Sequence, residues 1–252
     1  MDAVDALSPG GLVSQHLPGY ESRPQQVEMA GAVRRAFQKG EHLIVEAGTG
    51  VGKSFGYLLP AIERAIGNQQ RVVISTRTIA LQEQLVQKDI PFLQSVLPDK
   101  FSAVLVKGRA NYVGLRRLGI ASQKQQKLFA DDDSLNELWR IEDFASRTLD
   151  GSLSDLGKQP PPRIWERVRS DRDNCMGRRC PHFEQCFYQR ARRRAQNAQL
   201  LIVNHALFFA DLALRQGGAV ILPDYDHVVL DEAHTVESVA GDHFGASVSE
   251  SA

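Results

Sequence analysis

The octet AGTGVGKS at residues 47–54 constrains this chain more than any other stretch. It fits the phosphate-binding loop pattern, with Ala47 at the place of the pattern's first glycine. The apolar run before it predicts a short buried strand, and the residues after it predict a helix to about Ile66, bent at Pro60. Strand, glycine-rich turn and helix in that order are the context in which the pattern has a mechanism. Gly48, Gly50 and Gly52 let the backbone turn tightly, so that the amides of the loop, those of Ala47, Thr49 and Val51 included, face anionic oxygens. The helix N-terminus adds the positive end of its dipole. Lys53 would then reach the β- and γ-phosphates of a nucleotide, and the Ser54 hydroxyl would ligate Mg²⁺.

Four more strands are expected in RVVIST (71–76), SAVLVKG (102–108), LLIVN (200–204) and HVVLDEAH (227–234). Helices are expected over 22–40, closed by Gly40, and over TIALQEQLVQKDI. Continuously apolar strands that alternate with helices predict an α/β fold, a parallel sheet with helices on both faces. The alternation fails between about Lys107 and Ala198, where the chain has PPP at 160–162 and few β-branched residues. Residues 1–20 read as a loose leader, 21–106 and 199–252 as two parts of one α/β domain, and 107–198 as a mostly helical, cysteine-containing insertion.

The strand at VVLDEAH (228–234) ends in two carboxylates where it leaves the sheet, which is where open α/β sheets bind ligands. Asp231 would hold Mg²⁺, directly or through water. Glu232 would orient and deprotonate an attacking water, and His234 would link nucleotide state to a nucleic-acid site. With Lys53 these are the candidate catalytic residues.

Net charge is zero, but its distribution is uneven. Residues 131–155 hold eight acidic and two basic residues; residues 163–195 hold ten arginines against four acids. An arginine stripe of that density can hold phosphates, and it can equally be a solvated face. The N-terminus has neither a basic head nor an apolar run, which argues against a signal peptide. The most apolar stretch, 200–214, is interrupted by Asn204, His205 and Asp211 and is too short to span a bilayer. A cytoplasmic protein is therefore expected. In such a reducing compartment the three cysteines, Cys175, Cys180 and Cys186, point to metal binding more than to disulfides.

Taken together, AGTGVGKS, STRTIALQEQL and DEAH, in that order, resemble motifs I, Ia and II of superfamily 2 helicases. The segments VKGRANY (106–112), the cysteine cluster and VNHALF (203–208) narrow the resemblance to the iron–sulfur helicases, the DinG-like and XPD-like enzymes, with the DinG-like branch nearer. The resemblance covers about residues 18–245. It implies a RecA-like motor domain, ATP and Mg²⁺ as cofactors, and 5′→3′ unwinding by a cytoplasmic monomer that acts on single-stranded DNA and duplex junctions in repair or replication. It also implies that Gln26, in RPQQ, reads the adenine. Finally, it implies a 4Fe–4S cluster on four cysteines. Cys175, Cys180 and Cys186 match three of them, whereas Gly114, in GRANYVG, stands where the family's first cysteine is placed.

Several outcomes stay open for the thiols: a three-iron centre, a four-iron centre with one open iron, His182 as a substitute ligand, Zn²⁺ on a Cys₃His set, or no metal at all. The flanking Arg178, Arg179 and RARRR (190–194) would face a single-stranded backbone, and Phe183, Phe187 and Tyr188 would either stack on bases or pack beneath the loop. Thr76 and Thr78 would bond phosphate or cap a helix. Eighteen residues follow DEAH, whereas the family continues into a second RecA-like domain carrying an arginine finger. The chain is thus expected to be the N-terminal, ATP-binding part of such a helicase. A non-catalytic nucleotide- or DNA-binding module and a P-loop ATPase serving a nuclease are the rival expectations.

Overall fold

The computed structural model describes residues 2–48, 50–129 and 131–245. Two short helices, α1 (Ala3–Leu7) and α2 (Leu12–His16), open the chain. They are followed by α3 (Pro24–Lys39), α4 (Lys53–Asn68), strand β1 (Val72–Thr76), α5 (Ile79–Gln84), α6 (Ile90–Val96) and β2 (Ala103–Leu105). Then come α7 (Leu115–Gln123), α8 (Gln125–Leu128), α9 (Asp132–Arg147), α10 (Pro162–Val168) and α11 (Phe187–Asn197). The chain returns through β3 (Leu200–Asn204), α12 (His205–Gln216), β4 (His227–Leu230) and α13 (Val236–Phe244). It divides into two compact units, one of residues 1–105 and 195–252 and one of residues 106–194.

The first unit is built on a four-stranded parallel sheet of order β2-β3-β1-β4. β1 is its centre: Ile74 stands opposite Ile202 on one side and Val229 on the other. Every residue of β1 is buried, which is why VVIST is apolar without alternation. Helix α3 starts with Pro24 at its first turn, where the missing N–H costs nothing, and stops at Gly40 in the left-handed conformation. Helix α4 runs unbroken past Pro60 and buries Leu58, Leu59, Ile62 and Ala65 on the sheet. The predicted 78–90 helix is three pieces, because a π-turn at Leu85–Asp89 separates α5 from α6. Asp211, which breaks the apolar run of 200–214, is itself fully buried; its carboxylate accepts Ile221 N (2.7 Å), Leu222 N (2.9 Å) and Arg215 Nε (2.7 Å).

Two expectations are overturned here. Residues 1–20 are not a loose leader: Ala3, Leu7 and Val13 are fully buried in the same core as α4 and β1. Five-residue helices with two to four apolar residues carry too weak a period to be seen, and their order comes from burial rather than propensity. The expected strand before the phosphate-binding loop is also missing. Residues 41–48 form no strand, and Ile44 is 97% exposed. Glu41 N still donates to Ala36 O at 3.0 Å, at the end of α3, but residues 42–48 join no strand ladder. An apolar run becomes a strand only when another edge lies about 4.8 Å away.

The second unit packs Tyr112, Leu138, Ile141, Ile164, Trp165 and Val168 around a separate core. The acidic run is the solvent face of α9, whose N-terminus is capped by Asp131 accepting Ser134 N at 2.8 Å, with Asp132 and Asp133 in the first turn. Carboxylates there oppose the positive helix end. Two antiparallel bridges, Tyr112 with Ser152 and Val113 with Arg169, hold the polypeptide ahead of the cysteines. No described helix is long and apolar enough to cross a membrane.

Candidate nucleotide site and cysteine cavity

The phosphate-binding loop sits at the N-terminus of α4. Gly50 (φ 81°) and Gly52 (φ 82°) adopt the left-handed conformation that the turn needs. At Gly52 a side chain has no room in any case, since a Cβ would lie 2.2 Å from Gln26 Nε2. The loop's carbonyls are drawn back onto α3: Gln26 Nε2 donates to Gly52 O at 2.7 Å, and Arg23 donates to Gly50 O. The N–H groups that open α4 have no partner within the helix itself, so they remain available to an anion. Ala47 and Val51 are half-buried and Gly48 is exposed beside them; Thr49 lies outside the described residues.

The DEAH segment meets this loop. Lys53 Nζ is 3.5 Å from Glu232 Oε1, and the Tyr57 hydroxyl, one helical turn on, donates to Asp231 Oδ2 at 3.1 Å. Burial is the main cause that pushes the Asp231 carboxyl above its usual value, and the adjacent Glu232 charge adds to it; the Tyr57 bond works against both. Glu232 itself is held at φ 55°, a left-handed conformation rare outside glycine, by Thr235, whose N–H (3.1 Å) and hydroxyl (3.0 Å) both donate to its carbonyl. Burial raises the pKa of both Tyr57 and Asp89, and the adjoining Ser54 hydroxyl partly opposes that rise in each. His234 is exposed and lies 3.4 Å from the other oxygen of Glu232.

Gln26, expected at the adenine, is 2% exposed and fully engaged, with Tyr20 Oη 2.7 Å from its Oε1. Thr78 takes the capping role, accepting Leu81 N at 3.2 Å, and Thr76 is buried at the end of β1. The residue that sequence reasoning left without a role is His205. It is 1% exposed, with Nδ1 2.6 Å from Ser75 Oγ and Nε2 2.9 Å from the Asp231 carbonyl. It joins the end of β1 to the carboxylate-bearing end of β4. Burial is the main cause that lowers its pKa, opposed by the Asp231 carbonyl. The signal was its place in VNHALF, directly after an apolar strand.

In the second unit, Cys175, Cys180 and Cys186 line one cavity together with His182, Arg116 and Gly114. The cavity holds about 50 Å³, against about 10–15 Å³ for one water, so it exceeds the need of a lone ion. Successive turns, Phe183 N to Cys180 O (3.0 Å) and Cys186 N to Phe183 O (3.4 Å), curl the backbone between the last two thiols. Burial opposes ionisation of Cys175, but hydrogen bonds from Arg109 and from Gly177 N (3.5 Å to Sγ) bring its thiol below the ordinary value. Among the described residues no three His, Cys, Asp or Glu side chains converge closely enough to hold an ion as they stand. The donor set nonetheless suits a thiolate-bound centre: three sulfurs, one of them acidified, face a common space. It does not suit four cysteines, because Gly114 contributes none. Of the aromatic residues, Phe187 and Tyr188 are buried in this unit's core, and the Arg109 guanidinium covers the Tyr188 ring at 4.1 Å. They pack beneath the loop.

Residues 24–129 match the DEAD/DEAH box helicase family. The chain is 36% identical over 98% of its length to the ATP-dependent DNA helicase YoaA of Escherichia coli (strain K12), and covers 38% of that protein. It is 40% identical over 86% of its length to the ATP-dependent helicase DinG of Mycobacterium tuberculosis (strain ATCC 25618 / H37Rv), covering 35% of it. Against the 3′-5′ exonuclease DinG of Bacillus subtilis (strain 168) the identity is 32% over 92% of the chain, which covers 24% of that protein. The chain therefore spans well under half the length of these relatives. With a phosphate-binding loop, a DEAH strand end lying against it and a parallel sheet beneath both, the chain is similar to the DinG-like DEAD/DEAH box helicases.

Proposed function

We propose that this chain is the ATP-binding part of an ATP-dependent 5′→3′ DNA helicase, and that residues 106–194 are an insertion into its RecA-like domain. The carrying observation is the meeting of Lys53 with Glu232 at 3.5 Å while Tyr57 holds Asp231. Two elements 174 residues apart in sequence are thereby joined at the N-terminal turn of α4. Lys53 and Glu232 form an ion pair. A magnesium-bound triphosphate would draw Lys53 onto its β- and γ-oxygens, free Glu232 to orient a water, and bring Mg²⁺ to Ser54 and Asp231. Gln26, already bonded to the loop at Gly52, would report adenine occupancy to that same loop. Single-stranded DNA and duplex junctions are the proposed partners of a cytoplasmic monomer, with the arginines of α11 contacting phosphates.

Cys175, Cys180 and Cys186 would hold an iron–sulfur cluster. Such a cluster, when bound, supplies a covalent cross-link and a one-electron site. The chain's own part is to present thiolates, with Arg109 favouring the ionised form of Cys175.

Titration calorimetry with MgATP tests the nucleotide assignment: the chain takes up nucleotide, and Lys53→Ala does not. Undiminished uptake by the variant would remove the reading. In a protein that also contains the segments found in the longer relatives, turnover should rise on addition of single-stranded DNA.

A further inference from the structure

We propose that His182 is the fourth protein ligand of the cysteine cavity, so that this chain holds its metal centre with a Cys₃His donor set. The inference rests on the reading that the three cysteines bind such a centre.

Position 114 is closed to a ligand by more than the lack of a side chain. A Cβ built on Gly114 would lie 3.2 Å from Ser170 Cα and 3.3 Å from the Arg169 carbonyl. A side chain at 114 would need that backbone to give by a few tenths of an ångström, and the backbone is tied down. Gly114 N donates to Val168 O (2.8 Å), Ser170 N donates to Tyr112 O (2.7 Å), and the Val113–Arg169 bridge lies between them. The segment 168–170 is thereby laced against 112–114 at the spot where a cysteine would need to stand.

The carboxylate and imidazole side chains that line the cavity are Asp171 and His182. Asp171 is committed: Oδ2 accepts Arg117 Nη1 (3.2 Å) and Asn174 Nδ2 (2.9 Å), and Oδ1 accepts Asp173 N. His182 is half-buried and, among the described residues, its ring has no hydrogen-bond partner. It sits within the double turn that joins Cys180 to Cys186, so the element that places those two thiols also places the imidazole. Imidazole ligation replaces thiolate in known iron–sulfur and zinc sites, and in the former it raises the reduction potential.

The test uses the full chain purified without oxygen and reconstituted with ferrous iron and sulfide, or with Zn²⁺ in parallel, with labelled ¹⁵N-histidine incorporated. Bound metal is measured by elemental analysis, ligation by ¹⁵N hyperfine coupling of the reduced centre, and folding by the thermal transition. His182→Ala should lose most of its bound metal and all of the ¹⁵N coupling. His182→Cys should keep the metal, lose the coupling and show a lower reduction potential, which separates ligation from a mere folding role. Gly114→Cys should leave metal content unchanged. A His182→Ala chain with wild-type metal content and unchanged coupling overturns the inference. A centre absent from the wild-type chain and from Cys180→Ala alike overturns the underlying cysteine reading instead.

Discussion

The two units hold their working groups in opposite ways. In the sheet unit every candidate side chain is already paired: Lys53 with Glu232, Asp231 with Tyr57, Gln26 with Gly52, and His205 with Ser75 and the Asp231 carbonyl. In the second unit Cys175, Cys180, Cys186 and His182 surround a cavity without converging. On the proposed functions, the difference follows from what each site would bind. Charges that would exchange partners with a nucleotide are paired with one another. Thiol ligands have soft, weakly hydrogen-bonding sulfurs, so they can wait unpaired at little cost. A parallel sheet can enforce the first arrangement because its strand ends are fixed by register; a loop of consecutive turns can only place donors near one another.

Breaking the comparison outright calls for Lys53→Ala. MgATP binding should fall by at least about a hundredfold, while metal content at the cysteine cavity stays unchanged; loss of both would mean that the two sites are not independent. Asp211→Ala should come next. It leaves Arg215 and two amides without their buried partner, and about 3–5 kcal/mol of stability should be lost in a denaturant titration. Leu7→Ala tests whether the N-terminal helices belong to the core. A fully buried leucine truncated to alanine costs about 2–5 kcal/mol, whereas a loose leader would lose nothing.

A pH experiment sharpens the bridge at His205. Its folded pKa lies below the ordinary 6.5 because burial disfavours the cation. The unfolded chain therefore binds more protons below that value, and this contribution to stability is present above pH 6.5 and is lost as pH falls. His205→Gln should flatten that dependence. The smallest effect is expected from Tyr57→Phe, about 1 kcal/mol in stability. With the bond gone, the Asp231 carboxyl should rise further, so the acid-side loss of Mg²⁺ affinity should begin at higher pH than in the parent chain. An unshifted Mg²⁺ profile would show that Tyr57 is not what tunes Asp231.

Much of this was legible in short windows. The loop at residues 47–54, the strands β1, β3 and β4, the acidic pair at 231–232 and the three neighbouring cysteines all depend on spacing over a few residues. Sequence by itself therefore determined the α/β class, the phosphate-binding turn and the identity of the chemical groups. Tertiary structure decided who meets whom. It drew the N-terminal residues into the core because α1 found α3 and α4 and α2 found α6, and left Leu43–Val45 unpaired because no edge reached them. It also turned Gln26 onto Gly52, aimed His205 at two strand ends, and set His182 beside the thiols while lacing Ser170 over Gly114. Each of these outcomes depends on contacts between residues far apart in the chain. Local periodicity carries no record of such contacts, since burial and hydrogen-bond partnership are properties of the assembled neighbourhood.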